Sequence, residues 1–441
     1  MTVSRAIAAA IRAEPEEVGA SLTGFAVFFC IFAGYFMLRP VREAMGIAAG
    51  VDRLQWLFTA TFAATVLVVP LFAWLSSRVP RRAFAGCVYA AFCANLVAFA
   101  LAFHAWDGNL WIARAFYVWV SVYNLFVVSV TWSVMADVFD ARQARRLFAF
   151  IAAGASVGGL VGPAAGALLV GTIGHPGLVL VAAALLGVAL VLRHPLMRWR
   201  EHGGAGRPGA PPAQNPRRPV AGNPFSGMAR VLRSPYLLAI SGFVVLLAAA
   251  TTFLYFEQAR LVATRFPDRD AQVRVFSLID IAVQAGSLLA QAFITGRLAQ
   301  RLGVRLLLAG VPALVCVGFI GLALAPGFAM LATLMIVRRV GEYAFVRPGR
   351  EMLFAPLQAQ DKYKAKPFID TVVYRAGDAA SAWVRSALDL LGQGAWPALA
   401  GAGCAVAWGA LGWYLGGRAD ARAATGADGA DAVAAVAPAL R

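Results

Sequence analysis

Apolar runs of about 20 residues, the length a helix needs to cross the hydrocarbon core of a bilayer, recur from one end of this chain to the other. Backbone placed in hydrocarbon must satisfy every N–H and C=O internally, which confines a chain built of such runs to transmembrane helices. Composition agrees, since 60% of residues are hydrophobic and only 14% are charged. The runs predict spans over 20–38, 54–77, 83–103, 110–136, 147–170, 177–193, 235–256, 275–296, 303–325, 328–349, 367–390 and 395–416. The expected fold is an all-α polytopic membrane protein with 12 transmembrane helices in two six-helix bundles.

Hydrophobicity collapses between His194 and Arg233 into EHGGAGRPGAPPAQNPRRP, a Pro/Gly-rich connector. The expected domains are therefore an N-terminal bundle over 1–193, a linker over 194–233, a C-terminal bundle over 234–417 and a disordered tail over 418–441. Basic residues gather in alternate connections, among them Arg78, Arg81 and Arg82, then Arg142, Arg145 and Arg146, and the arginines of the linker. The positive-inside rule places those connections, and both termini, in the cytoplasm, and the setting expected is a bacterial inner membrane. The formal net charge of +17 is thus mostly topology. It is spread over separate inner segments rather than one patch interleaved with aromatics, so nucleic acid is not an expected partner. The first span runs into LRPVRE and not into a small-residue cleavage site, so it is expected to be retained.

Catalytic and metal chemistry find no footing here. Cys30, Cys87, Cys93, Cys316 and Cys404 all lie in predicted spans without ligand spacing, and His104, His175, His194 and His202 have no neighbour at catalytic spacing. A phosphate-cradling loop needs lysine after glycine, and Lys362, Lys364 and Lys366 follow aspartate, tyrosine and alanine. No enzyme, cofactor or ATP-driven pump is expected, which leaves gradient-driven or exchange transport.

The three lysines fall in one charged connector, Arg350 to Asp378, between two apolar helices; every other basic residue is arginine. They are expected to gate that connector or draw anions to its mouth. Charges inside spans cost several kcal/mol, so they normally face a cavity or each other. The tenth span carries Arg338, Arg339 and Glu342, the eleventh Asp370, Arg375, Asp378 and Arg385, the fourth Arg114 and the eighth Asp280. Spacings of three and seven put Arg375, Asp378 and Arg385 on one helix face, and Arg338 can pair with Glu342 four residues on. These arginines outnumber the nearby acids. Guanidinium binds carboxylate or phosphate in a bidentate fork, so the expected solute is anionic.

The chain also repeats itself. LSSRVPRR after the second span and LAQRLGVR after the eighth align Leu75, Arg78 and Arg82 with Leu298, Arg301 and Arg305 at an offset of 223 residues. The same offset lays AGAS at 153–156 over AGDA at 376–379. The two turns resemble the signature of the major facilitator superfamily, with Ser77 and Gln300 standing where an acid is usual. Gly154, Gly158, Gly162 and Gly166 are four apart, a face that lets another backbone approach. Gly158 to Gly166 also resembles the Gly-x-x-x-Gly-Pro element of that superfamily's antiporters.

A narrower resemblance lies at the charged edges. Leu38-Arg39-Pro40-Val41-Arg42-Glu43, Trp132 to Asp137 ahead of ARQARRLFAF, Tyr255-Phe256-Glu257 and REMLFAPL…KYKAKPFID together resemble the ATP:ADP antiporter family of plastids and intracellular bacteria. The resemblance implies that Arg42 and Arg350 stand at lysine positions of the family and that Asp137 and Glu257 stand at its acidic ones. Where that family tends to read glycine-lysine-serine-glycine, this chain reads Gly377-Asp378-Ala379-Ala380, with the charge reversed.

These readings predict a secondary transporter of alternating access, exchanging an organic anion such as a nucleotide or another phosphorylated metabolite. Arg42, Arg114, Arg338, Arg339, Arg350, Arg375 and Arg385 are the expected substrate-binding residues. Asp137, Glu257, Asp280 and Asp370, with Lys362, Lys364 and Lys366, are the expected gating or coupling residues. The alternative is a proton-coupled carrier of another small molecule with Asp280 as the buried acid. A monomer in contact with membrane lipids and a small anion is expected.

Overall fold

The structure is a computed structural model that describes residues 13–203, 227–355, 357, 359–390 and 395–436. Among them the chain is helical throughout, without a strand. Six spans come first: α1 (Val18–Ala48), α2 (Leu54–Arg78), α3 (Arg81–Ala105), α4 (Leu110–Val138), and a long helix Ala141–Gly203 that Gly174 breaks into α5 and α6. Gly174 turns the chain at φ 63°, a left-handed conformation only glycine adopts freely. Then come α7 (Pro235–Arg265) and α8 (Arg269–Ala290), which runs through a π turn at Gln291–Thr295 into Gly296–Leu324. Gly303, at φ 70°, ends α8 within that last segment and starts α9. Spans α10 and α11 are each built in three parts. The first is Phe328–Gly341, a π turn at Glu342–Val346, and Arg347–Phe354; the second is Ala359–Phe368, a π turn at Ile369–Val373, and Tyr374–Leu390. The last, α12, is Trp396–Val436.

The twelve expected spans are all present, and most overrun their expected ends. An apolar window finds the part of a helix that sits in hydrocarbon, not the point where its hydrogen bonding stops. Thus α1 passes through Pro40 and continues to Ala48, which puts Arg39, Arg42 and Glu43 inside a helix rather than at its close. The lysine-bearing connector contains the helix Ala359–Phe368. The final helix runs on to Val436, past residue 418 where the sequence leads one to expect a disordered tail; the alanine-rich composition there favours helix. Most of the linker, 204–226, lies outside the described residues.

Packing divides the chain into two compact units, Met1–Gly222 with Val262–Gln284, and Asn223–Leu261 with Ala285–Arg441. The division expected from sequence is linear. Instead, 262–284, which includes the turn between α7 and α8, packs with the first unit.

In the first unit the glycine face of α5 seats the backbone of α1. A Cβ at Gly154, Gly158 or Gly162 would stand 2.3, 2.5 and 2.3 Å from the carbonyl oxygens of Phe25, Phe29 and Ala33. The second unit repeats the seam at the sequence offset of 223. Gly154 lies on Phe25 of α1, and a Cβ at Gly377 of α11 would stand 3.3 Å from the methyl carbon of Ala248 on α7. The turn residues Pro80, before α3, and Gly303, before α9, share that offset too. Elsewhere in the second unit α9 and α12 approach at glycines, where a Cβ at Gly412 would meet the carbonyl oxygen of Leu308 at 2.7 Å. Phe243, Phe319, Phe354 and Trp408 fill the core around them.

The start of α4 shows local chemistry at work. The side chain of Asn109 accepts from the N–H groups of Trp111 (2.9 Å) and Ile112 (3.3 Å), two donors with no helical acceptor. Replacing Asn109 by alanine is expected to remove about 1 kcal/mol and to lower the thermal midpoint in detergent by about 1–2 °C. An unchanged midpoint would show that water serves the cap equally well.

Candidate functional site

Helices α1 and α4 bring two arginines onto aromatic rings in the first unit. The guanidinium of Arg42 lies 4.6 Å above the ring of Tyr117, donates to its hydroxyl at 3.3 Å and stands 3.4 Å from Glu43. Three residues earlier on α4, Arg114 donates to the carbonyl oxygen of Ala49 (3.3 Å) and covers Trp111. One turn down α1 from Arg42, Arg39 reaches Asp280 of α8 at 4.0 Å, and Asp280 is 3% exposed. The amide of Gln284 on α8 lies against Gly159 of α5, and Ser277 lies beside Gly166, so small residues on α5 leave room for the polar side of α8. Asp137 is half-buried at the far end of α4.

The second unit holds a ladder of ion pairs on α7, α10 and α11. Arg338, 4% exposed, donates to Thr251 and to Glu342, both at 2.9 Å, and Arg347 reaches the other oxygen of Glu342 at 3.6 Å. Arg350 pairs with Asp370 across α10 and α11 at 3.2 Å. Asp378 takes Arg375 on one oxygen and Thr252 on the other, each at 3.3 Å. Arg385, 1% exposed, is held between Asp389 and Glu257, the latter at 3.5 Å. Arg339 is also buried, at 4% exposure.

The π turns fall on this ladder. Glu342 opens the turn in α10, and Asp370 is the second residue of the turn in α11. A π turn inserts one residue into the helical register, frequently at functional positions, and aims a side chain away from where α-helical spacing would put it. It also loosens the backbone ladder, so the two acids sit where their helices bend most readily.

The expected site residues therefore fall into two groups, one in each unit. Arg42, Arg114, Asp137 and Asp280 belong to the first; Glu257, Arg338, Arg339, Arg350, Asp370, Arg375 and Arg385 belong to the second. The predicted pairing of Arg338 with Glu342 is present. The face expected to stack Arg375, Asp378 and Arg385 joins only the first two, because Arg385 turns to Glu257 and Asp389. Lys366 pairs with Glu351 and Lys364 is exposed; the side chain of Lys362 lies outside the described residues. Sequence reasoning missed Tyr117, Thr251, Thr252 and Asp389. Asp389 alone had a legible signal, four residues after Arg385.

The family model described as Major Facilitator Superfamily matches residues 24–349. No curated protein matches the chain significantly. Among solved structures, a bacterial homolog of the human lysosomal transporter Spinster, in an inward-facing and unoccupied conformation, superposes with a TM-score of 0.63 at 14% identity over 92% of this chain and 98% of that one. The nucleoside transporter NupG, in a mutant form, superposes with a TM-score of 0.60 at 14% identity, over 90% of this chain and 99% of the other.

Proposed function

The chain belongs to the major facilitator superfamily and is an integral membrane secondary transporter of that fold, and from this we propose that it exchanges an organic anion across a bacterial inner membrane by alternating access. The cargo class is a nucleotide or another phosphorylated metabolite. One observation carries the reading: within the spans Arg42, Arg338, Arg350 and Arg385 are set against carboxylates, and at two of them a substrate phosphate can take the acid's place. Arg350 against Asp370 and Arg42 against Glu43 are the exchangeable pairs, since both guanidinia keep 15–17% of their side-chain surface accessible. Arg385, at 2%, and Arg338, at 5%, are locked by their acids and serve as structural anchors.

A phosphate competes with these carboxylates on equal chemical terms, since it too accepts a charge-assisted bidentate fork from guanidinium, and it brings a higher charge than one carboxylate. Releasing Asp370 as substrate binds unties α10 from α11, whereas releasing Glu43 frees a carboxylate on α1 itself, and the first of these links occupancy to reopening. Resemblance to the ATP:ADP antiporters at Arg39 to Glu43 and at Arg350 to Asp370 supports the nucleotide class. Both termini lie in the cytoplasm in this reading. The two halves that rock in this reading are the covalent bundles 1–193 and 234–417, although 262–284 of the latter clusters with the first unit, and Lys362, Lys364 and Lys366 draw anions to the inner mouth.

The test is uptake of radiolabelled ADP into proteoliposomes preloaded with ATP, against empty vesicles. Uptake is expected only with internal nucleotide. Arg42→Ala and Arg350→Ala are each expected to raise the half-saturating ADP concentration about tenfold or more, the effect of losing roughly 1.5–3 kcal/mol of charged hydrogen bonding. Folded protein that takes up ADP in neither condition would remove the nucleotide reading. A second reading, proton-coupled transport, is favoured by Asp280, 3% exposed and 4.0 Å from Arg39; it requires accumulation driven by a pH gradient alone.

A further inference from the structure

Three turns that follow odd-numbered spans meet in the first unit, on the side opposite the N-terminus. The α3–α4 turn contributes Asp107, the break between α5 and α6 contributes His175, and the start of α8 contributes Arg269 and Asp270. Asp270 Oδ1 accepts from the backbone N–H of His175 at 3.1 Å and lies 3.0 Å from its Nδ1. Nε2 of the same ring faces Nη1 of Arg269 at 3.5 Å, and that Nη1 also donates to Asp107 at 2.7 Å. The ring of Phe103 covers the imidazole at 5.6 Å, and His175 is only 8% exposed. The four side chains form a relay, carboxylate to imidazole to guanidinium to carboxylate, in which a neutral imidazole protonated at Nδ1 satisfies both neighbours.

The geometry points to a proton-binding site at His175 that governs whether the α7–α8 turn stays fastened to the α3–α4 turn. A second proton on the ring places an N–H at Nε2, directly opposite the N–H of Arg269. Donor then faces donor and cation faces cation. Arg269 must withdraw, which strains its bond to Asp107, while Asp270 holds the imidazolium more firmly. Proton uptake thus releases one end of the relay and tightens the other. The groups facing the ring are Asp270 and Arg269 from α8, Asp107 from the α3–α4 turn and the uncharged Phe103 from α3. Burial, and then Arg269, hold the imidazole of the fastened state below the ordinary histidine range, against the opposing pull of Asp270. Asp107 is itself held below the usual carboxylate range by its bond from Arg269, so it stays charged throughout.

The sign follows from linkage. The released state binds the proton more readily, so acid on that side favours release. The fastened state is fully favoured above the ordinary histidine value of about 6.5 and loses ground as pH falls from there towards the lowered value. This control presupposes the alternating-access reading above, in which the turns must part for the cavity to open on that side.

Spin labels at Trp106→Cys and Pro267→Cys, both exposed positions, report the distance between the two turns in liposomes when the five native cysteines are replaced. The separated population is expected to grow as pH falls below about 6.5, by at most about tenfold per pH unit for one proton. His175→Gln should abolish that pH response. Arg269→Gln should favour the separated population at every pH, and Arg269→Lys should retain the response. A wild-type distance that does not move between about pH 5 and 8, where histidine titrates, or a His175→Gln variant that still responds, would overturn the proposal. No substrate enters this measurement, so its failure is distinguishable from failure of ADP exchange.

Discussion

Leucine in place of Gly162 should abolish the folded first unit, with no monodisperse protein recovered by size exclusion. A Cβ at this position would stand 2.3 Å from the carbonyl oxygen of Ala33 and 3.0 Å from its carbonyl carbon. The neighbour is backbone, so no side-chain rotation relieves the clash, and α1 would have to lift away from α5. Lifting it also exposes the contacts at Gly158 and Gly154, because all three lie on one face. Overpacking in protein interiors costs about 1–3 kcal/mol where side chains can adjust, and alanine at 162 should cost at least that much. Gly171, with nothing within 4 Å of a Cβ, is the control, and Gly171→Ala should melt like the wild type. A Gly162→Leu protein that purifies and melts normally would mean that the α1–α5 seam is not the close contact described.

The second large effect concerns Arg338. Arg338→Leu leaves Glu342, 12% exposed, with the longer contact to Arg347 and the more distant charge of Arg350, and strips Thr251 of its donor. Breaking a buried pair by removing one member costs about 3–5 kcal/mol, because the remaining charge stays in a medium that does not solvate it. Replacing both members by apolar residues is often neutral or stabilising, so the double variant Arg338→Leu/Glu342→Leu should recover most of the lost melting temperature. Its transport separates two roles. A purely structural pair predicts recovered transport, whereas an acid that has to change partners at the π turn predicts a stable protein with transport still lost. A single variant as stable as wild type would sink the claim that this pair is buried and coupled.

What the sequence could show depended on whether the signal was local or repeated. The spans were legible because burial in hydrocarbon acts on every residue of a run. The duplication was legible because Leu75, Arg78 and Arg82 recur as Leu298, Arg301 and Arg305, and Gly154 as Gly377, at one constant offset. The glycine face of α5 could be read as a place for close approach, but not as a seat for α1. Contacts between distant residues left no mark. His175 has no charged residue near it in sequence, yet its two neighbours lie 95 and 94 positions away. Glu17, legible only as part of an acidic N-terminal stretch, is 1% exposed and accepts from Gln143 and Arg146, both at 3.0 Å. The π turns were invisible for a different reason: nothing in the residue types around Glu342 and Asp370 marks the one inserted residue that redirects everything beyond it.

The seam between α1 and α5 has a mechanical consequence. Three carbonyls of one helix sit in three notches of the other, a turn apart, so neither rod can slide without first climbing out of all three. Such a joint is stiff in shear. The equivalent seam of α11 against α7 is met by a methyl group and Cα instead of carbonyl oxygens, at 3.3 Å, and α11 carries a π turn that can migrate along the helix by exchanging one hydrogen bond at a time. Compliance is therefore unevenly distributed between the two seams: that of α1 with α5 is a strut, and that of α7 with α11 contains the spring.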